Sequence, residues 1–220
     1  MAEAQGCGWR GAGRRSYHHG RLREALLAAA RALISERGLA GFTLAEAAKR
    51  VGVTGAAPYR HFADRDAVVA ALAQDGFAHF NAELARAWDG GKPDPVAALR
   101  RRGEAYLAFA RSEPGLYRAM FGETGLPPRS AENLQALAAF DELARASVAA
   151  LRFFHAPERE AQRLAAQIWA LSHGVAELML AGHFSDRPEA ARETLRAGVD
   201  ALVEGAIRAA LGVKPVLPAS

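Results

Sequence analysis

The chain has 220 residues, half of them apolar, which is enough for one large domain or two small ones around a substantial core. Its one cysteine, Cys7, excludes an intrachain disulfide and fits a reducing, cytoplasmic setting. The formal charge of +4 is unevenly held: residues 1–75 carry 11 Lys+Arg against 7 Asp+Glu, and residues 76–220 carry 17 of each. A basic segment attached to a neutral body is the footprint expected of a polyanion binder, although a basic tail occurs on many proteins with no such partner.

In chain order, residues 1–19 read as a flexible basic arm. From Gly8 to Arg23 the chain holds Arg10, Arg14, Arg15, Arg21 and Arg23, with His18 and His19 and no acidic residue. The first residues are polar and glycine-rich, so no signal peptide is expected. Apolar spacing at Leu22, Leu26, Ala29, Ala30 and Leu33 predicts a first helix over about 21–37, closed by Gly38.

Residues 43–62, TLAEAAKRVGVTGAAPYRHF, then predict two short helices joined by a tight turn. Thr43 and Glu46 stand at capping-box spacing: the hydroxyl accepts from the Glu46 N–H and the carboxylate reaches back to the N–H of Thr43. Leu44, Ala47, Ala48 and Val51 form one apolar face, Gly52 ends the helix, and Thr54 is placed to cap the next by accepting from Ala56 or Ala57. A glycine-containing turn of three or four residues sets two helices at a steep angle, so that the second can enter a major groove. Tyr59, Arg60 and His61 bunch at its far end, and such groups commonly meet phosphate oxygens. Pro58 forfeits an early hydrogen bond, which predicts a short, irregular second helix.

Asp64 caps a longer helix whose stripe is Val69, Leu72, Ala73, Gly76, Phe77, Phe80 and Leu84, closed by Trp88. The run Asp89-Gly90-Gly91-Lys92-Pro93-Asp94-Pro95 is a clear break, with Pro95 at the first position of a new helix reaching about Arg111. Further helices are expected over 114–121, 130–154 and 157–181, and in a last one beyond Pro188. Gly122–Arg129 reads as a loop, and the tail after Gly212 as frayed. The run 165–181 is interrupted by Gln167, Ser172, His173 and Glu177, so it reads as a buried helix rather than a membrane span. The fold class is all-α, with about nine helices. The boundaries are 1–19 for the arm, 20–66 for a helix-turn-helix domain, 67–213 for the body and 214–220 for the tail.

Tyr106, Phe109, Met120, Phe121, Phe140, Phe153, Trp169 and Met179 supply an aromatic and Met-containing interior. Pockets for apolar ligands are lined this way, and so are plain cores. Trp169 and His173 are neighbours at i and i+4: either a packed tryptophan beside a hydrogen-bonded core histidine, or a histidine that anchors a ligand. No nucleophile with a paired base, phosphate-cradling glycine loop or His/Cys cluster at metal spacing is found, so no catalytic residue, metal or cofactor is expected. A small all-α enzyme on an apolar substrate and a protein–protein adaptor are the rival readings. The first lacks a catalytic constellation, and the second has no need of the arginine arm.

The first helix, the two-helix motif and the YRHF–Asp64 junction resemble the DNA-binding domain of the tetracycline-repressor (TetR) family of bacterial regulators. FARSEPGLYRAMF (109–121) and IWALSHGVAELML (168–180) are similar to a C-terminal domain of that family named for a Trp-His-Gly signature, here Trp169, His173 and Gly174, and the SYHHG stretch is typical of the same subgroup. The resemblance implies a cytoplasmic homodimer built from a three-helix DNA-binding domain and a helical bundle, with no membrane association. The last two long helices would pair with their mates, and the body would take a small apolar or aromatic effector. It also implies a ligand-responsive repressor on double-stranded DNA with a near-palindromic operator, two recognition helices docking in major grooves roughly 34–36 Å apart. Carried over by position, Thr43, Tyr59, His61 and Arg65 would contact phosphates, and Thr54, Gly55, Ala56, Ala57 and Arg60 would face the groove. Gly55, Ala56 and Ala57 cannot make a bidentate bond to a base, which leaves Thr54 and Arg60 as polar readers. Arg10, Arg14 or Arg15 entering a minor groove would add shape readout. Tyr106, Phe109, Met120, Phe121, Phe140, Trp169 and His173 are the candidate effector-binding residues.

Overall fold

The computed structural model describes residues 19–122 and 134–213. Eight α-helices carry the fold: α1 His19–Arg37, α2 Leu44–Val51, α3 Arg65–Trp88, α4 Pro95–Ser112, α5 Pro114–Phe121, α6 Leu134–Phe153, α7 Ala161–Leu180 and α8 Pro188–Ala210. There is no strand among the described residues. Nor is any described helix long and apolar enough to cross a membrane.

The helix boundaries follow from local chemistry. Gly52 closes α2 in the left-handed region (φ 81°), where a side chain would be strained. Its N–H donates to Lys49 O at 3.2 Å while Val53 N donates to Ala48 O at 3.0 Å, the paired bonds of a Schellman motif. Asp64 accepts from Ala67 N at 2.8 Å and starts α3, and Asp94 accepts from Val96 N and Ala97 N ahead of Pro95. The expected helix from residue 157 begins only at Ala161, because Glu158–Glu160 form a 3₁₀ turn first. The expected second helix of the 43–62 motif is likewise a single 3₁₀ turn, Pro58–Arg60. Having no N–H, Pro58 cannot donate to the Thr54 carbonyl, and Ala57 N takes that acceptor instead at 3.0 Å.

α3 runs from the N-terminal helices into the body and buries Val69, Leu72, Phe77, Phe80 and Leu84 against α4 and α5. α4 in turn packs on α7 and α8, and α6 on α7. Short α5 lies between α1 and α3. At Gly76 an added Cβ would lie 2.6 Å from Met120 Sδ, so the glycine lets α5 approach α3 closely. One continuous apolar core therefore links the N-terminal helices to the body. Phe153, expected inside, is 53% exposed. It is the last residue of α6, and among the described residues its ring meets only that of Phe154, with ring centroids 5.1 Å apart.

Candidate nucleic-acid interface and the aromatic interior

Thr43 caps α2 as expected, its hydroxyl accepting from Glu46 N at 3.2 Å. The other half of the capping box differs. The Glu46 carboxylate accepts from the Thr43 hydroxyl at 3.3 Å and from Arg37 at 2.5 Å, not from the Thr43 N–H. Arg50 is likewise paired with Glu36 at 2.6 Å, so two of the cations around α2 are neutralised within the protein.

Beyond Gly52 the chain presents Thr54, Gly55, Ala56, Tyr59 and Arg60 on one exposed turn, with Ala57 and His61 half-buried. Pro58 is fully buried beneath them and fixes the turn to the core. Tyr59 is 60% exposed, and neither its hydroxyl nor the Arg60 guanidinium has a partner among the described residues. The arrangement therefore leaves a phenol and a free cation facing solvent. Arg65, expected at phosphate, is committed elsewhere. Its Nε and a terminal nitrogen donate to Phe42 O at 3.2 Å and Leu39 O at 2.5 Å, and another donates to Asp66 at 3.2 Å. It clamps the connection between α1 and α2, whose carbonyls have no helical acceptor role. Arg10, Arg14 and Arg15 lie outside the described residues.

Sequence reasoning passed over Lys49, an exposed cation in the last turn of α2, and the role of Arg23, whose guanidinium sits 5.3 Å above the Phe62 ring. It also gave no role to Arg100, Arg101 and Arg102. Their i, i+1 spacing sends them three ways. Arg100 reaches Asp200 on α8 at 2.6 Å, Arg101 donates to carbonyls ahead of α4, and Arg102 is buried. The signal was available, since Leu99, Arg102 and Tyr106 share one helical face.

The interior is closely packed. The Tyr106 hydroxyl lies 2.8 Å from His173 Nδ1 and 3.4 Å from the Tyr117 hydroxyl. Phe121 meets His173 edge-on at 4.4 Å, and Trp169 joins His173 at 5.1 Å and Phe140 at 6.0 Å. Phe109 stacks on Phe80 at 5.3 Å, on the α3 side. Of the seven expected effector residues, Tyr106 and Trp169 line a cavity of about 20 Å³, while Phe121, Phe140 and His173 pack beside them. Phe109 and Met120 face α3 instead. Among the described residues no group of three or more His, Cys, Asp or Glu is placed to hold a metal.

Burial pushes the Tyr106 and Tyr117 phenols up, so both stay protonated at any ordinary pH. It holds the His173 imidazole below its usual value, against a weaker opposing hydrogen bond to the Trp169 backbone. His173 is therefore neutral in the fold, whereas in the unfolded chain it takes a proton near pH ~6.5. Stability from this group is present above that pH and lost as pH falls through the folded value, by at most about 1.4 kcal/mol per pH unit. Urea unfolding at pH 7.5 and pH 5.0 should show a steeper loss for the wild type than for His173→Gln. Parallel losses would mean that the imidazole does not titrate as its burial requires.

Comparison with known proteins agrees with this architecture. Residues 99–202 match the tetracyclin repressor-like C-terminal domain, a span that includes Trp169, His173 and Gly174, and residues 26–72 match the tetR family of bacterial regulatory proteins. A protein of unknown function from Rhodococcus sp. RHA1 is 31% identical, with a TM-score of 0.72 over 87% of this chain and 98% of its own. A TetR variant from Acinetobacter baumannii AYE, solved in complex with minocycline, shares the fold at 20% identity and TM-score 0.58, covering 84% of this chain and 96% of its own. Nucleoid occlusion factor SlmA of Vibrio cholerae serotype O1 is 35% identical over 102 residues, which is 46% of this chain and 52% of that protein, so the match spans about half the relative's length. The two domain matches, the capped α2 with its exposed turn and the all-α body together establish that the chain belongs to the TetR family of DNA-binding transcriptional regulators.

Proposed function

We propose that the chain is a cytoplasmic, ligand-responsive repressor that binds a near-palindromic operator as a homodimer and leaves it when a small apolar or aromatic effector enters the body. The observation that carries this reading is the Thr54–Arg60 turn: solvent-facing Thr54, Tyr59 and Arg60 stand on a fully buried Pro58. Arg60 and Thr54 are the polar readers of the major groove, and the Ala56 and Ala57 methyls contact thymine methyls. Gly55 allows close backbone approach. Tyr59, His61 and Thr43 contact phosphates, while Arg65 positions the α1–α2 connection. Arg14 and Arg15 add minor-groove contacts.

Dimerisation is assigned to α7 and α8. Ala166, Ala170, Gly174 and Leu178 follow one another at four-residue spacing on the exposed side of α7, a row of mostly small side chains that permits close helix packing. Effector binding is assigned to the interior around Tyr106, Trp169 and His173. The minocycline complex of the A. baumannii relative supports a small-molecule site in a body of this fold. A coupling of about 1–3 kcal/mol between the two sites would weaken operator binding roughly 5–150-fold.

The test is fluorescence anisotropy with the DNA upstream of the protein's own gene, across a salt series. Affinity should fall steeply with salt. The double variant Tyr59→Ala, Arg60→Ala should bind about tenfold or more weakly, with a shallower salt slope by roughly one counterion per lost phosphate contact. If the wild type forms no salt-sensitive, sequence-preferring complex, the reading fails.

A further inference from the structure

Arg102 is 6% exposed and, among the described residues, makes a single hydrogen bond, to the Ala139 carbonyl of α6 at 3.3 Å. A guanidinium has five N–H donors, and this one has no ion pair among the described residues. The carboxylate that most favours its charge, Glu142, is itself bonded to Arg145 at 2.5 Å and stands on the surface. Burial has pushed the Arg102 pKa down to about 10. A buried charge left this way is costly, and an apolar side chain of similar volume would be neutral or stabilising at the same place. Packing alone therefore does not account for arginine at this position.

Arg102 lines the cavity between α4, α6 and α7, whose other walls include Leu84 of α3, Leu99, Leu143, Ile168 and the rings of Tyr106 and Trp169. Ser172 also borders it, but its hydroxyl already donates to Ile168 O at 2.8 Å. At about 20 Å³ the space holds roughly one water. One cation with no ion pair among the described residues, set among mostly apolar walls, selects one negative charge attached to an apolar body. A carboxylate matches the planar fork of the guanidinium with two parallel bonds, whereas a phosphate dianion would stay half-neutralised.

We propose that the effector is a small apolar monocarboxylate whose carboxylate pairs with Arg102 in the α4–α6–α7 cavity. This rests on the ligand-responsive reading above and adds the chemical class. The hydrocarbon body takes its space by displacing the half-buried rings of Trp169 and Phe140.

The experiment uses the full chain with phenylacetate and octanoate, and with phenylacetamide and octanamide as neutral counterparts, read by thermal unfolding and calorimetric titration. At least one carboxylate should raise the melting temperature while its amide leaves it unchanged. Arg102→Met should fold at least as stably as the wild type and bind that carboxylate about tenfold to a hundredfold more weakly. Arg102→Lys should retain part of the affinity. Equal responses to acid and amide, undiminished binding by Arg102→Met, or no response to either acid would overturn the proposal. If Arg102→Met does not fold, the acid–amide contrast on the wild type decides alone. Operator binding is followed in parallel. Release by the neutral compounds only would remove the carboxylate and leave the regulator standing. Acid binding without any operator complex would do the reverse.

Discussion

Truncating Phe80 to alanine is expected to destabilise the fold by about 3–5 kcal/mol, the cost of removing an aromatic from a core that cannot collapse. Phe80 is fully buried at the middle of α3, where Tyr106, Phe109 and Phe121 meet its ring edge-on at 5.1, 5.3 and 6.1 Å. Those three rings come from α4 and α5, so one side chain joins three helices. None can follow the missing ring inward. Tyr106 is tied to His173, Phe109 sits in the α4 face, and Phe121 is pressed against His173 at 4.4 Å. Urea denaturation at a fixed protein concentration measures the loss. Phe153→Ala is the contrasting variant, since that ring is more than half exposed, and it should change stability by no more than about 0.5 kcal/mol. Comparable losses in the two variants would mean that the core is not organised around Phe80.

Most of the helical frame was legible because its limits are set by local chemistry. Thr43, Asp64, Asp94 and Gly52 each act on backbone groups within a few residues, and such interactions do not depend on the rest of the fold. Periodicity also found the buried face of α3. It could not say which element covers a given face, and Phe153 was misplaced for that reason. Long-range polar contacts were hidden in the same way. Arg65 finds its acceptors at Leu39 and Phe42, more than twenty residues earlier, and Arg102 finds its one acceptor at Ala139. An arginine in a charge run reads as solvated unless its helical face is checked against its neighbours. The exposed turn was legible in position and only partly in form: Pro58 foretold an irregular helix, and the outcome is a single 3₁₀ turn.

Replacing Gly115 with valine is expected to lower operator affinity about tenfold or more, although residue 115 is far along the chain from the Thr54–Arg60 turn. The reason is the position of α5. On one side its Gly115 is pressed against α1, where an added Cβ would overlap the Arg31 carbonyl oxygen and lie 3.1 Å from its carbon. Backbone cannot yield there as a flexible side chain would, so the two helices must separate, at a cost of about 1–3 kcal/mol. The same helix holds the end of α1 through Arg118, which donates to Ile34 O at 3.2 Å and Ser35 O at 2.6 Å, and Glu113 pairs with Arg31. On its other side Tyr117 and Phe121 join Tyr106 and His173 in the interior. On the proposed function, an effector that moves those rings would move the support of α1, which leads directly into the capped α2 and its exposed turn. Arg118→Met removes the two bonds without inserting bulk and should reproduce the loss in milder form. Both variants are compared with the wild type by anisotropy, at a temperature where circular dichroism shows all three folded. Operator affinities equal to the wild type in both would mean that α5 does not couple the interior to the DNA-binding helices.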